Sequence, residues 1–104
     1  MLIIKTQEIV DALRNFKSTQ VKHLQHNIEF ELWNVNDLEH LNKEYCVDEF
    51  LPNYLAIGSS GGGEMLTVEL VTSKCYSIPF IPMQASDRLE IAKSLKGLSS
   101  LLVL

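Results

Sequence analysis

Apolar residues fall along this chain in runs whose spacing changes from helical to extended and back. Ile9, Leu13 and Phe16 lie at i, i+4 and i+7, Val10 widens the stripe, and Asp11, Arg14 and Asn15 take the other side. This spacing predicts an amphipathic helix over 6–16. Thr6 opens it, since its hydroxyl can accept a backbone N–H left free in the first turn. Ser18-Thr19-Gln20 ends the pattern. Ile28-Glu29-Phe30-Glu31-Leu32 then alternates with period two, which predicts a half-buried strand with Glu29 and Glu31 facing water, at an edge or on a solvated sheet. After Trp33, Asn36-Asp37-Leu38-Glu39 has the spacing of a capping box, and Leu38, Leu41 and Tyr45 continue on one helical face. That helix stops by 48–52, because Pro52 disfavours helical backbone at Leu51.

Tyr54-Leu55-Ala56-Ile57-Gly58 is a compact apolar strand, followed by Ser59-Ser60-Gly61-Gly62-Gly63 and by a second strand over 64–71 in which Leu66, Val68 and Leu70 share a face. Glycine takes positive φ at little steric cost, so the three glycines predict a bend or bulge joining two paired strands. A third strand is expected over 75–83, at an edge or broken by a bulge, because Pro79 and Pro82 cannot donate to a ladder. Asp87 and Glu90 stand at capping-box spacing, and Leu89, Ala92, Leu95, Leu98, Leu101 and Leu102 trace a stripe that predicts a last helix over 86–102, with a break at Lys96-Gly97. Strands flanked by helices without strict alternation indicate an α+β fold: a twisted antiparallel sheet of about four strands with packed helices.

Composition narrows the functional classes. The chain has 104 residues, enough for one domain over 1–104 with its own core. Its net charge of −4, with no run of lysines or arginines, argues against nucleic acid as a partner. No apolar run approaches the roughly 20 residues of a membrane span, and 1–5 is too short for a secretory leader, so a cytoplasmic protein is expected. Cys46 and Cys75 read as free thiols in that compartment.

Candidate chemistry is sparse. Gly61-Gly62-Gly63-Glu64 lacks the Lys-Ser/Thr of a phosphate loop and places a carboxylate where a cation is wanted, so a tight hairpin is expected, with Glu64 accepting from nearby backbone amides. Ser60 sits centrally in Gly58-Ser59-Ser60-Gly61-Gly62, but the nucleophile elbow this resembles requires a helix after the serine. His23, His26 and His40 with Cys46 and Cys75 supply zinc-ligand types, and the spacing of His23 and His26 allows one helical face, but no closely spaced cysteine pair accompanies them and a surface polar face is expected. No catalytic residue, metal site or cofactor is therefore expected. Trp33 and Tyr45 are expected as core or near-core anchors, with one of them open to a partner.

Three stretches resemble the SUKH superfamily of Smi/Knr-type domains. They are Leu32-Trp33-Asn34-Val35-Asn36-Asp37-Leu38 with Leu41-Asn42; Phe50-Leu51-Pro52-Asn53-Tyr54-Leu55-Ala56-Ile57-Gly58-Ser59-Ser60-Gly61-Gly62-Gly63-Glu64; and Ile78-Pro79-Phe80-Ile81-Pro82-Met83. Trp33, Pro52, Gly58, the three glycines, Glu64 and Pro79 are its structural marks. The family's opening leucine–proline–x–x–tyrosine motif and asparagine–glycine–glycine turn are missing, and only residues 9–16 stand in for that part. The domain is thus either minimal and diverged, or completed by a second chain. The resemblance implies a non-enzymatic immunity protein that neutralises a secreted polymorphic toxin, often a nuclease. Glu29, Glu31, Asp37, Glu39, Glu44, Asp48 and Glu49, offset locally by Lys43, form the acidic surface expected to meet a basic toxin. A homo-oligomeric structural or regulatory protein, such as a homodimer, is the alternative.

Overall fold

The computed structural model describes the backbone of residues 2–104 and the side chains of residues 6–104. Helix α1 (Leu2–Arg14) leads into strands β1 (Gln20–His23) and β2 (Ile28–Leu32). A 3-10 turn (Val35–Asp37) and the short helices α2 (Leu38–Glu44) and α3 (Val47–Phe50) follow. Strands β3 (Tyr54–Ser59), β4 (Glu64–Glu69), β5 (Cys75–Pro79) and β6 (Leu89–Ala92) come next, and then α4 (Leu95–Ser99). The fold is α+β, and its sheet is a six-stranded antiparallel meander in chain order. After α4 the chain returns to the first strand: Val21 bridges Leu102, Lys22 N–H donates to Leu101 O at 3.0 Å, and Val103 N–H donates to Gln20 O at 2.8 Å. This tail covers the backbone groups that an edge strand would leave open. The short connection from β6 to the tail draws the two ends of the sheet together, so the sheet curls toward a barrel.

Both faces of the sheet are covered over its middle. On one face Ile9 and Leu13 of α1, Leu38 of α2 and Leu98 of α4 pack on Val21, Phe30, Leu55, Ile57, Leu66 and Val68. On the other, Val47 and Leu51 pack on Tyr54, Ala56, Met65, Tyr76 and Ile78, with Phe80 and Met83 closing the rim. Strands buried on both sides read as unbroken apolar runs, which is why Tyr54-Leu55-Ala56-Ile57 shows no alternation. Strand β2, covered on one face only, keeps it: Phe30 and Leu32 are buried while Glu29 and Glu31 are exposed.

Two close contacts set the middle of the sheet. A Cβ on Gly58 would lie 2.5 Å from Glu31 O, so only glycine lets β2 approach β3 there, next to a bulge between Ala56 and Gly58. Beyond that point β2 leaves β3, and buried Asn42 of α2 takes its place. Its carboxamide donates to Ala56 O at 2.9 Å and accepts from Ala56 N–H at 2.9 Å, as a neighbouring strand would.

Several expectations are corrected. The sheet has six strands, not about four. Helix α1 begins before Thr6, which lies inside it and does not cap it. His23 and His26 belong to the β1–β2 hairpin, not to a helix: His23 ends β1 and His26 sits in the turn. The capping box at Asn36–Glu39 does not form; Asn34 Oδ1 accepts from Asn36 N–H at 2.9 Å instead. The third strand stops at Pro79 and is interior, paired with β4 and β6, and the irregularity it carries is a register shift against β6 between Cys75 and Tyr76, away from the prolines. The expected helix over 86–102 is a 3-10 turn, strand β6 and α4. Without β6 the outer backbone groups of β5 would lack partners, and the alternation of buried Ile91 with exposed Glu90 suits a strand there. Ser94, whose hydroxyl accepts from Gly97 N–H at 2.9 Å, caps α4 in place of the Asp87–Glu90 pair.

Candidate functional site

The glycine segment is a bend between paired strands. Gly61 and Gly63 have φ of 77° and 100°, and beyond the bulge β3 and β4 stay paired up to Ser59 and Met65. The Ser60 hydroxyl turns into the bend, accepting from Gly62 N–H at 3.0 Å and Glu64 N–H at 3.3 Å. It occupies the space an anion would need, and strand β4 follows it where a nucleophile elbow has a helix. Glu64 does not accept from backbone amides as expected; its Oε1 accepts from the Ser77 hydroxyl at 2.9 Å, tying β4 to β5. Pro52 lies in the turn from α3 to β3, and Pro79 ends β5.

The acidic residues are carried by two elements. Glu29 and Glu31 share the uncovered face of β2 and flank a shallow depression also lined by Gln20, Ser59, Ser60 and Val103. Asp37, Glu39, Glu44, Asp48 and Glu49 are exposed along the 3-10 turn, α2 and α3. Lys22, directly across the ladder, meets Glu29 at 3.6 Å, and His40 meets Glu44 at 2.9 Å one helical turn away. Lys43 is therefore not the only offset to these charges.

An aromatic surface adjoins the second acidic group. Trp33 stacks on Tyr45 with ring centroids 5.9 Å apart and planes 20° apart, and Tyr45 meets Phe80 at 5.0 Å. Trp33 packs against both apolar clusters, whereas Tyr45 is 44% exposed. The anchor expectation thus divides: Trp33 serves the core and Tyr45 meets water. The helical spacing of Tyr45 from Leu38 and Leu41 placed it on the inner face, but α2 ends at Glu44 and Tyr45 lies outside its last turn.

Sequence reasoning missed a second cluster. Arg88 donates to Tyr54 Oη at 2.5 Å and to Glu69 Oε2 at 3.4 Å, and its guanidinium lies 4.6 Å from the centre of the Tyr76 ring. The Tyr54 hydroxyl, more than Tyr76 and Glu69, pushes the guanidinium's proton affinity still higher. The cluster pins the 3-10 turn at Ala85–Asp87 to the sheet. Its members are 34 and 19 residues apart in sequence, so no local spacing announces it.

The remaining ionisable groups are separate. His23 and His26 stack at 4.8 Å, and partial burial, reinforced by His26, holds His23 below the ordinary imidazole range. Burial pushes the Cys75 thiol up to about 12. Among the described residues no three histidine, cysteine or acidic side chains stand close enough to hold a metal ion, and no helix is long and apolar enough to cross a membrane. No protein-family model matches the chain, and no curated protein does.

Proposed function

We propose that this chain is a non-catalytic, protein-binding immunity module of the SUKH type, which neutralises a secreted polymorphic toxin, a class that is often nucleolytic, in the cytoplasm. The observation that carries this reading is the exposure of every acidic side chain from Glu29 to Glu49, with few cations to offset them. A domain that cleaves nucleic acid is basic where it meets its substrate, so an acidic cover is attracted to that face and blocks it. The self-filled glycine bend, whose serine hydroxyl is engaged by its own backbone, supports a binding role over a hydrolytic one. The experiment is co-expression with secreted nuclease toxin domains from the same genome. Cells are expected to survive with this chain present and to die without it; death in both cases rejects the immunity role.

A homo-oligomeric structural or regulatory protein is the second reading, favoured by the tail beside β1, where Val103 is 44% and Leu104 89% exposed. A clean monomer in light scattering at micromolar concentration rejects it.

A further inference from the structure

The turn that joins β1 to β2, residues 24–27, has few backbone ties of its own. Leu24 is 78% exposed, and Gln25, His26 and Asn27 are exposed as well. Among the described residues one backbone hydrogen bond lies inside it, from Asn27 N–H to Leu24 O at 3.3 Å. A pair of rings closes it. His23, the last residue of β1, stacks on His26 with ring centres 4.8 Å apart and planes 14° apart. His23 Nδ1 is sealed from water and has no hydrogen-bond partner among the described residues. A neutral imidazole has one bare nitrogen and can leave it there. An imidazolium carries N–H on both nitrogens and would bury a donor without an acceptor. Protonating His26 as well would set two positive rings face to face. We propose that the His23–His26 stack is a proton-operated latch on this turn: in acid the rings part, His23 leaves its seat, and residues 24–27 open while the rest of the sheet stays folded.

Among the described residues no carboxylate is placed to receive the charge. Ile28 faces His23 across the ladder. The next rung, Lys22 and Glu29, points to the other face of the sheet, and its charges meet each other at 3.6 Å. The tail beside β1 brings Leu101, Leu102 and Val103, and the helix residues on the His23 side, Ile9, Leu13, Leu38 and Leu98, are apolar. Partial burial and then His26, the one titratable group acting on it, hold His23 below the ordinary imidazole range. The opening stays local because Val21 and Phe30, paired further along the hairpin, are anchored in the core. Glu29 lies two residues past the turn, so a partner held there is held less firmly in acid. That consequence rests on the protein-binding reading; the latch does not.

Amide hydrogen exchange of the intact protein at about pH 7 and about pH 5, either side of the imidazole range, tests the latch. Corrected for the intrinsic pH dependence of exchange, amides over 23–28 are expected to exchange severalfold faster at the lower pH, while those of β3 and β4 keep their protection. His23→Gln, which takes up no proton, is expected to show the same exchange over 23–28 at both. His26→Gln changes an exposed side chain, removes the like charge but not the burial, and is expected to shrink the response. Unchanged exchange over 23–28 in the parent, an equal loss of protection in β3 and β4, or the full response surviving in either variant overturns the inference. No partner enters the measurement, so its failure leaves the protein-binding reading standing, and a toxin left unneutralised leaves the latch standing.

Discussion

At Gly58 the backbone of one strand lies so close to the next that a single methyl group decides whether they pair. Gly58→Ala would drive Cβ to 2.5 Å from Glu31 O, and backbone cannot retreat as a flexible side chain can. It is expected to cost about 1–3 kcal/mol. Gly62→Ala, whose Cβ would meet nothing nearer than the Ser60 hydroxyl at 3.6 Å, is expected to stay within about 0.5 kcal/mol of the parent. Urea denaturation of both variants checks the contrast. Asn42 is the polar counterpart: Asn42→Ala strands the N–H and C=O of Ala56 in the interior, for an expected loss on the order of 2–4 kcal/mol by the same measurement. The thiols should also divide. Cys46, half-buried, is expected to react with a thiol reagent in the native protein, whereas Cys75, fully buried and held as the thiol, should react only after unfolding. Gly58 was legible in the sequence as part of a strand–glycine pattern. Asn42 was not, because a polar residue on a helix gives no sign that it will pair, as a strand would, with a residue 14 positions away.

Among the elements, the β1–β2 hairpin carries a pH dependence. Partial burial, reinforced by the stacked His26, holds His23 below its ordinary value of 6.5, so protonation costs more in the folded chain than in the unfolded one. Well above 6.5 His23 is neutral in the folded and unfolded chain and its shift contributes nothing; as pH falls below 6.5 stability is lost. The urea midpoint is expected to drop between pH 7 and 5, and to drop less in His23→Gln. Elements with long-range partners were the hardest to read. Ile28–Leu32, Tyr54–Ser59 and Glu64–Glu69 show as strands because their own patterns are long enough. In β1 only Val21 is apolar, and in β6 the spacing of Leu89, Ala92 and Leu95 also fits a helix. What makes β6 a strand is the open side of β5, which lies outside its own sequence. The glycine bend was legible for the opposite reason: its positive φ values are a local demand that only glycine meets without strain.

For the whole molecule, the sheet's two ends are drawn together and the tail covers β1, so the surfaces left for recognition are side-chain surfaces: the acidic face of β2 and the acidic, aromatic segment from the 3-10 turn to α3. The residue types of this site were legible in the sequence; their division between two elements, and the aromatic patch beside one of them, follow only from the fold. The account turns on charge, and one measurement addresses it most directly: the affinity for the proposed toxin partner as salt is raised, for the parent and for a variant carrying Glu31→Lys, Asp48→Lys and Glu49→Lys. The parent is expected to bind more weakly as salt screens its carboxylates, and the reversed variant to lose most of its low-salt affinity. Equal affinity of the two proteins at low salt would contradict an acidic binding face.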